Sequence, residues 1–290
     1  MYRNRTTYNY HILNLYSNFL YDYGDHRFSS VAGFNQEVND QYQIVTRVGN
    51  MISSELPSLS LALGDPSVSD QYGAWAVRGV LGRLNYIFKD RYILEFNGRY
   101  DGSTRFPAAD RYGFFPSASI AWRMDQERFM DSLDWLDMLK LRASYGSLGN
   151  QSVNDFGYIS TMNTFLLNYI VGDTRPLGIS TPGLVSPNYS WEEVATLNLG
   201  VDVDLFKSRL TTAFDIYTRE TKNMLTLGRE LPAVLGAAEP RENAADLKTK
   251  GWELSLHYRD YTEFLGSPLS YGLRFTLADS RSFITRFDNP

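Results

Sequence analysis

The side chains that could do chemistry in this sequence fall on alternating positions. Glu95, Asn97 and Arg99 interleave with Leu94, Phe96, Gly98 and Tyr100. Lys140 and Arg142 interleave with Leu139, Leu141 and Ala143, and Asp215 and Arg219 stand opposite Phe214 and Ile216. A period of two places each set on one face of a strand. Glu95, Asn97, Arg99, Lys140, Arg142, Asp215 and Arg219 would then line a charged face. One reading is a polar passage, or a contact for an internal domain, with Glu95, Asn97, Arg99, Arg142, Asp215 and Arg219 as candidate substrate-binding residues. The other is solvation and cross-strand pairing, which suffices for most of them.

Catalysis finds little support. His11, His26 and His257 are far apart, and none has a metal-ligand partner of the right kind two to four residues on. The chain has no cysteine, so no disulfide or thiolate site can form. Neither a G-x-S-x-G nor a phosphate-binding loop occurs. A glycoside hydrolase would need two converging carboxylates, whereas Glu192 and Glu193 are strand neighbours pointing to opposite faces. No enzyme activity, metal or cofactor is therefore expected. The turn Asp101 to Phe106, DGSTRF, reads as turn chemistry with Arg105 pairing locally. Tyr72, Trp75, Tyr158, Phe165, Tyr169, Tyr189 and Trp191 lie in or beside loops. They could stack on sugar rings, pack on a partner or pack on each other.

The elements that position these residues start from Arg78 to Asp101. Val80, Gly82, Leu84, Tyr86 and Phe88 share a face, the joint is Lys89-Asp90, and Tyr92, Leu94, Phe96, Gly98 and Tyr100 follow on the same face. This is an antiparallel hairpin. Its apolar face could be buried in a soluble sandwich or turned to lipid in a membrane barrel. Further strands are expected at Tyr10–Tyr23, His26–Glu37, Phe115–Arg123, Met138–Gly146, Trp191–Leu205, Arg209–Thr221, Lys250–Tyr258 and Ser270–Ala278, ten in all. Val38–Val77, with a helical turn near Leu56–Leu61, Ser147–Ser190 and Lys222–Thr249 read as long loops. Met124–Asp137 reads as an irregular link, and Asp279–Pro290 shows no period. The connections run short, long, short, long, medium, long, short, long, medium. Short turns at one end and long loops at the other is the rhythm of an up-and-down outer-membrane barrel, and a Greek-key sandwich has no reason to keep it.

Lys and Arg number 28 against 33 Asp and Glu, a net charge of −5, which argues against a nucleic-acid partner. With 20 Tyr and 17 Phe the chain is rich in residues favoured in strands and in barrel girdles. No run of eighteen apolar residues occurs, so no transmembrane helix is expected, and the first residues lack the apolar core of a secretory signal.

Four stretches resemble the C-terminal barrel of the SusC/RagA family of TonB-dependent outer-membrane transporters. They are KDRYILEFNGRYDGSTRFPAADRYGFFPSASIAWR (Lys89 to Arg123), LKLRASYGSLGNQ (Leu139 to Gln151), PNYSWEEVATLNLGVD (Pro187 to Asp202) and NAADLKTKGWE (Asn243 to Glu253). They span most of residues 78 to 260; residues 1 to 77 match in general character only. The resemblance implies an all-β, antiparallel up-and-down transmembrane barrel of 22 strands closed by an internal plug. Residues 1–290 would be a segment of it, about ten strands with two unpaired edges, without plug or signal peptide. The parent protein would sit in the outer membrane of a Gram-negative bacterium. It would import an oligosaccharide or peptide with energy transmitted by TonB, and a SusD-like lipoprotein would cover the long loops. The alternative is a non-transport β-sheet protein that holds glycan at the cell surface.

Overall fold

The computed structural model of the chain describes residues 1–288 apart from 54, 56, 57 and 229. Its strands are β1 (Tyr2–Tyr23), β2 (His26–Arg47), β3 (Ser67–Phe88), β4 (Tyr92–Ser103), β5 (Tyr112–Arg123), β6 (Leu136–Asn150), β7 (Thr164–Leu166), β8 (Leu177–Ile179), β9 (Glu192–Leu205), β10 (Leu210–Leu227), β11 (Arg241–Phe264) and β12 (Ser267–Phe287). Ten of them form one sheet in the order β1-β2-β3-β4-β5-β6-β9-β10-β11-β12, every pairing antiparallel, and β7 and β8 make a separate ribbon. Sheet order follows chain order, as in an up-and-down barrel. The sheet ends at β1 and β12 without closing, so it is a wall segment rather than a cylinder.

Register fixes the two faces. Phe88, Tyr92, Trp122, Leu141, Val201, Phe214, Leu254 and Leu277 form one continuous row across eight strands. Asn85, Glu95, Ser119, Ser144, Asn198 and Tyr217 form a row on the other face. The first face is apolar and bare: Leu84 is 62% exposed and Phe96 54%. A soluble sandwich would bury such residues between two sheets, but all ten strands lie in one. An exposed apolar band with charged side chains behind it is the arrangement of a lipid-facing barrel wall.

The turns 24–25, 89–91, 206–209 and 265–266 and the link 124–135 lie at one end of the sheet, and the loops 48–66, 104–111, 151–191 and 228–240 at the other. The alternating rhythm holds except that the link 124–135 is longer than the loop 104–111 before it. The ninth connection, expected to be of medium length, is a two-residue turn at Leu265-Gly266. The hairpin turn Lys89-Asp90 takes positive φ at both residues, 54° and 52°, the handedness that matches strand twist in a tight hairpin.

The strands run well past the stretches with clear alternation. β2 continues to Arg47 and β3 begins at Ser67, so much of the expected loop Val38–Val77 is sheet. β10 and β11 likewise take residues from the expected loop Lys222–Thr249, and β12 takes most of the tail that shows no period. The cause is physical: about ten tilted residues cross a bilayer, and β1 to β3 each have 22. Beyond the apolar band both faces meet water, so side chains no longer alternate although the backbone ladder continues. The expected turn near Leu56–Leu61 is a short 3-10 turn at Leu59–Leu61, and its start at Leu56 lies outside the described residues.

Candidate functional site

The inner face carries two polar clusters. On β3 and β4, Arg83 donates to Asn97 (2.7 Å), Asn97 donates to Glu95 (2.8 Å), and Asn85 also donates to Glu95 (3.3 Å). Arg99 holds Asp101 through two bonds of 2.9 and 3.0 Å. On β6, β9 and β10, Arg142 grips Asp215 through both terminal nitrogens at 2.7 Å and bonds Asp202 through Nε at 3.0 Å. Lys140 pairs with Asp202 at 3.0 Å, and Asn198 donates to Asp215 at 2.7 Å.

Backbone register explains the second cluster. Arg142 pairs with Gly200, and Gly200 pairs with Asp215 on the next strand. A Cβ on Gly200 would sit 2.6 Å from both Arg142 Cζ and Asp215 Oδ1. The absent side chain is what lets the guanidinium cross a whole strand to reach Asp215.

Between the clusters lies a trough of about 420 Å³ where Ser117, Ser119, Ser144 and Thr196 alternate with apolar Phe115, Leu148 and Val194, with Glu95, Asn97 and Arg99 along one rim. Glu95 and Asn198 share a register row three strands apart, about 14 Å at the usual strand spacing. Of the sequence candidates, the structure joins Glu95 with Asn97 and Arg142 with Asp215. Arg219 stands apart, over the ring of Tyr217 at 5.7 Å. Sequence reasoning left out Asp202 and Asn198 as site residues. Their parity on β9 was legible, but the strand that brings them to Arg142 follows a forty-residue connection.

The loop end holds a packed core. Phe106 is fully enclosed, and Phe115, Tyr189 and Trp191 are buried with it. The ring centroids of Phe106 and Trp191 are 4.9 Å apart, and those of Phe115 and Trp191 5.3 Å. Trp191 Nε1 donates to the Arg111 carbonyl at 3.0 Å, so the indole is satisfied as it packs. Gly149 makes room for Phe115: a Cβ there would lie 2.1 Å from the ring. The Asn243 side chain accepts from the Ser190 amide (2.9 Å) and donates to the Ser190 carbonyl (3.1 Å). Arg105 does not pair locally as expected. Its guanidinium bonds Asp155 at 2.9 Å, fifty residues on, and lies over Trp75 at 4.8 Å. Tyr189 and Trp191 thus belong to a core, whereas Tyr72, Phe165 and Tyr169 stay exposed.

The four resemblance stretches meet at this core. Phe106 and Phe115 come from the first, Gly149 from the second, Tyr189, Ser190 and Trp191 from the third and Asn243 from the fourth. A family model described as "TonB dependent receptor-like, beta-barrel" matches residues 1–290. The chain belongs to this family of TonB-dependent receptor barrels. It is 31% identical over 242 residues to TonB-dependent receptor P3 of Formosa agariphila, covering 83% of this chain and 24% of that protein. It is 34% identical over 191 residues to TonB-dependent receptor SusC of Bacteroides thetaiotaomicron, covering 63% of this chain and 19% of that protein. The TonB-dependent barrel segment thus spans about a quarter of the length of its curated relatives. Its fold superposes on the RagAB peptide importer in the closed-closed state with a TM-score of 0.82 at 24% identity, over 99% of this chain and 31% of that one. The family is one of receptors and transporters of the outer membrane, not of enzymes.

Proposed function

We propose that this wall belongs to an outer-membrane importer of the SusC/RagA type that takes up oligosaccharides or peptides. Uptake would draw energy through TonB, and a SusD-like lipoprotein would cover the long loops. The observation that carries the reading is the division of the sheet's faces: a lipid-ready apolar band outside, and polar clusters flanking a hydroxyl-lined trough inside. A hydrophilic solute passing such a wall meets hydrogen-bonding groups at both clusters and hydroxyls between them. Solute contact or plug contact is assigned to the inner residues Glu95, Asn97, Arg99, Arg142, Asp215 and Arg219. The ion-paired Arg142 and Asp215 shape the wall, and the exposed Arg219 is the freest of them to meet a passing molecule. The strands missing from the open sheet, the plug and the TonB-contacting segment would be supplied by other parts of the same polypeptide.

The test is uptake of labelled oligosaccharides and peptides by cells with and without the intact gene, each with and without TonB. The reading expects uptake of one class to need both. Uptake unaffected by either loss would remove it.

A further inference from the structure

The inner face of β1–β3 differs in composition from the rest of the inner wall. Register puts Tyr10, Asn39 and Trp75 in one row across these strands, and Tyr16, Gly33, Leu81 and the inner-face Arg99 in another. Among the described residues, the inner faces of 2–20 and 29–45 carry one charge, Glu37, and Tyr10 Oη donates to it at 2.9 Å. The inner faces of β4, β6 and β9 are the reverse. They carry Glu95, Arg99, Lys140, Arg142 and Asp202, and among the described residues no aromatic ring.

Gly33 sets the first ring. A Cβ there would lie 2.9 Å from Tyr16 Cδ1, so the bare backbone lets the Tyr16 ring lie against β2 with its other side open. Tyr16 is 61% exposed, and Tyr10, about 20 Å away along the strand, is 51% exposed. A strand added at the β1 edge would pair with the backbone and leave this face open. The Tyr10 ring meets that of Trp75 across Asn39, with centroids 6.3 Å apart. Amides lie between the rings. Asn35 donates to Asn14 beside Tyr16, while the side-chain amides of Asn18, Asn39 and Gln41 have no partner among the described residues. Each offers two donors and an acceptor.

We propose that the inner face of β1–β3 is a binding track for a neutral oligosaccharide. A sugar ring has an apolar C–H face and an edge of hydroxyls. Tyr16 and Tyr10 meet the first, and Asn18, Asn39 and Gln41 bond the second. A peptide would bring terminal and side-chain charges, and this face offers it no free counter-charge: Glu37 is already bonded by Tyr10. Acidic glycans fail on the same ground. The inference rests on the importer reading and narrows its two substrate classes to one.

The experiment uses the intact polypeptide purified in detergent. It is passed over an array of short gluco-, xylo-, manno- and fructo-oligosaccharides, uronic and sulfated oligosaccharides, and peptides from a casein digest. Affinity for the retained compound is then measured by calorimetry, and folding of each variant is checked by heat-modifiable migration in gels. The track expects a neutral oligosaccharide to be retained. Tyr16→Ala should weaken its binding roughly tenfold and Asn39→Ala roughly fivefold, while Tyr16→Phe, which keeps the ring, should bind as the native protein does. Retention of peptides or acidic glycans instead, or of nothing, would overturn the track. So would neutral-glycan binding that Tyr16→Ala leaves intact, as when an internal domain covers the ring. Each of these leaves the importer reading standing, because TonB-dependent uptake tests that separately. Uptake that needs neither the gene nor TonB would remove both.

Discussion

The two ends of this wall use the same residue types in opposite ways. At the loop end Phe106, Phe115, Tyr189 and Trp191 are buried against one another. At the turn end Phe129, Trp135 and Phe206 stand more than half in the open or at half. The loop end thus carries a small globular core, while the turn end leaves its rings without a packing partner inside the wall among the described residues. Stability of the first should follow packing rules, and that of the second should follow hydrogen bonds that hold the rim in place.

The sharpest way to break the comparison is Trp191→Ala. Truncating a buried aromatic costs about 3–5 kcal/mol. Amide hydrogen exchange at residues 186–191 should then accelerate roughly a hundredfold or more, since about 1.4 kcal/mol is a factor of ten and exchange follows local opening. Exchange across the link 124–135 should stay unchanged. Acceleration at both ends would mean that the ends are one cooperative unit.

A smaller effect is expected from the Arg105–Asp155 pair, whose side chains are 20% and 26% exposed. A double-mutant cycle with Arg105→Met and Asp155→Asn should give a coupling of about 1–2 kcal/mol, the range for charge-assisted bonds that are largely out of water. The readout is the same loop exchange. A coupling near zero would leave the aromatic rings as the whole of the loop-end fastening.

Two strand glycines make a pair, Gly200 on the inner face and Gly82 on the outer one. Gly200→Ala should displace the Arg142 guanidinium from Asp215 and lower resistance to urea by about 1–2 kcal/mol. Gly82→Ala adds a Cβ with nothing within 4 Å and should change little. Equal effects would show that glycine's backbone freedom, rather than the guanidinium crossing, governs position 200.

The ten-strand wall was legible because residues inside the bilayer band must alternate, as Tyr92 to Tyr100 do. Strand ends were not legible, because Val38–Arg47 and Ser67–Gly73 run where water reaches both faces and nothing enforces a period. The inner-face candidates were readable by parity, yet the partners of Arg142 were not. Asp202 and Asp215 reach it through a pairing that spans the 151–191 loop and through the missing side chain at Gly200. The local pairing expected of Arg105 failed for a similar reason: Asp155 is brought to it by the core around Phe106, which no short window of sequence contains. The ribbon β7–β8 was missed because its strands are three residues each, too short to show a period.

The smallest effect belongs to Glu127, and it sharpens the comparison at the turn end. Hydrogen bonds from Tyr92 and then Trp122, with the charge of Arg91 adding to them, hold its carboxyl below the usual carboxylate range. A carboxyl depressed in the folded state binds its proton more weakly there than in the unfolded chain. Its contribution is therefore present above the unfolded value and fades as pH falls through the folded one. Below that pH the carboxyl is protonated, its bonds from Tyr92 and Trp122 weaken, and the link loosens from the outer rim. Amide exchange across residues 124–135 should accordingly rise in acid relative to the intrinsic rate, and Glu127→Gln should remove that step by making the link equally loose at neutral pH. Exchange at residues 186–191, followed in the Asp155→Asn variant so that the Arg105 partner carries no carboxylate, should show no matching step over the same window. A step of equal size at both ends would trace the acid response to the shared sheet and not to the rim.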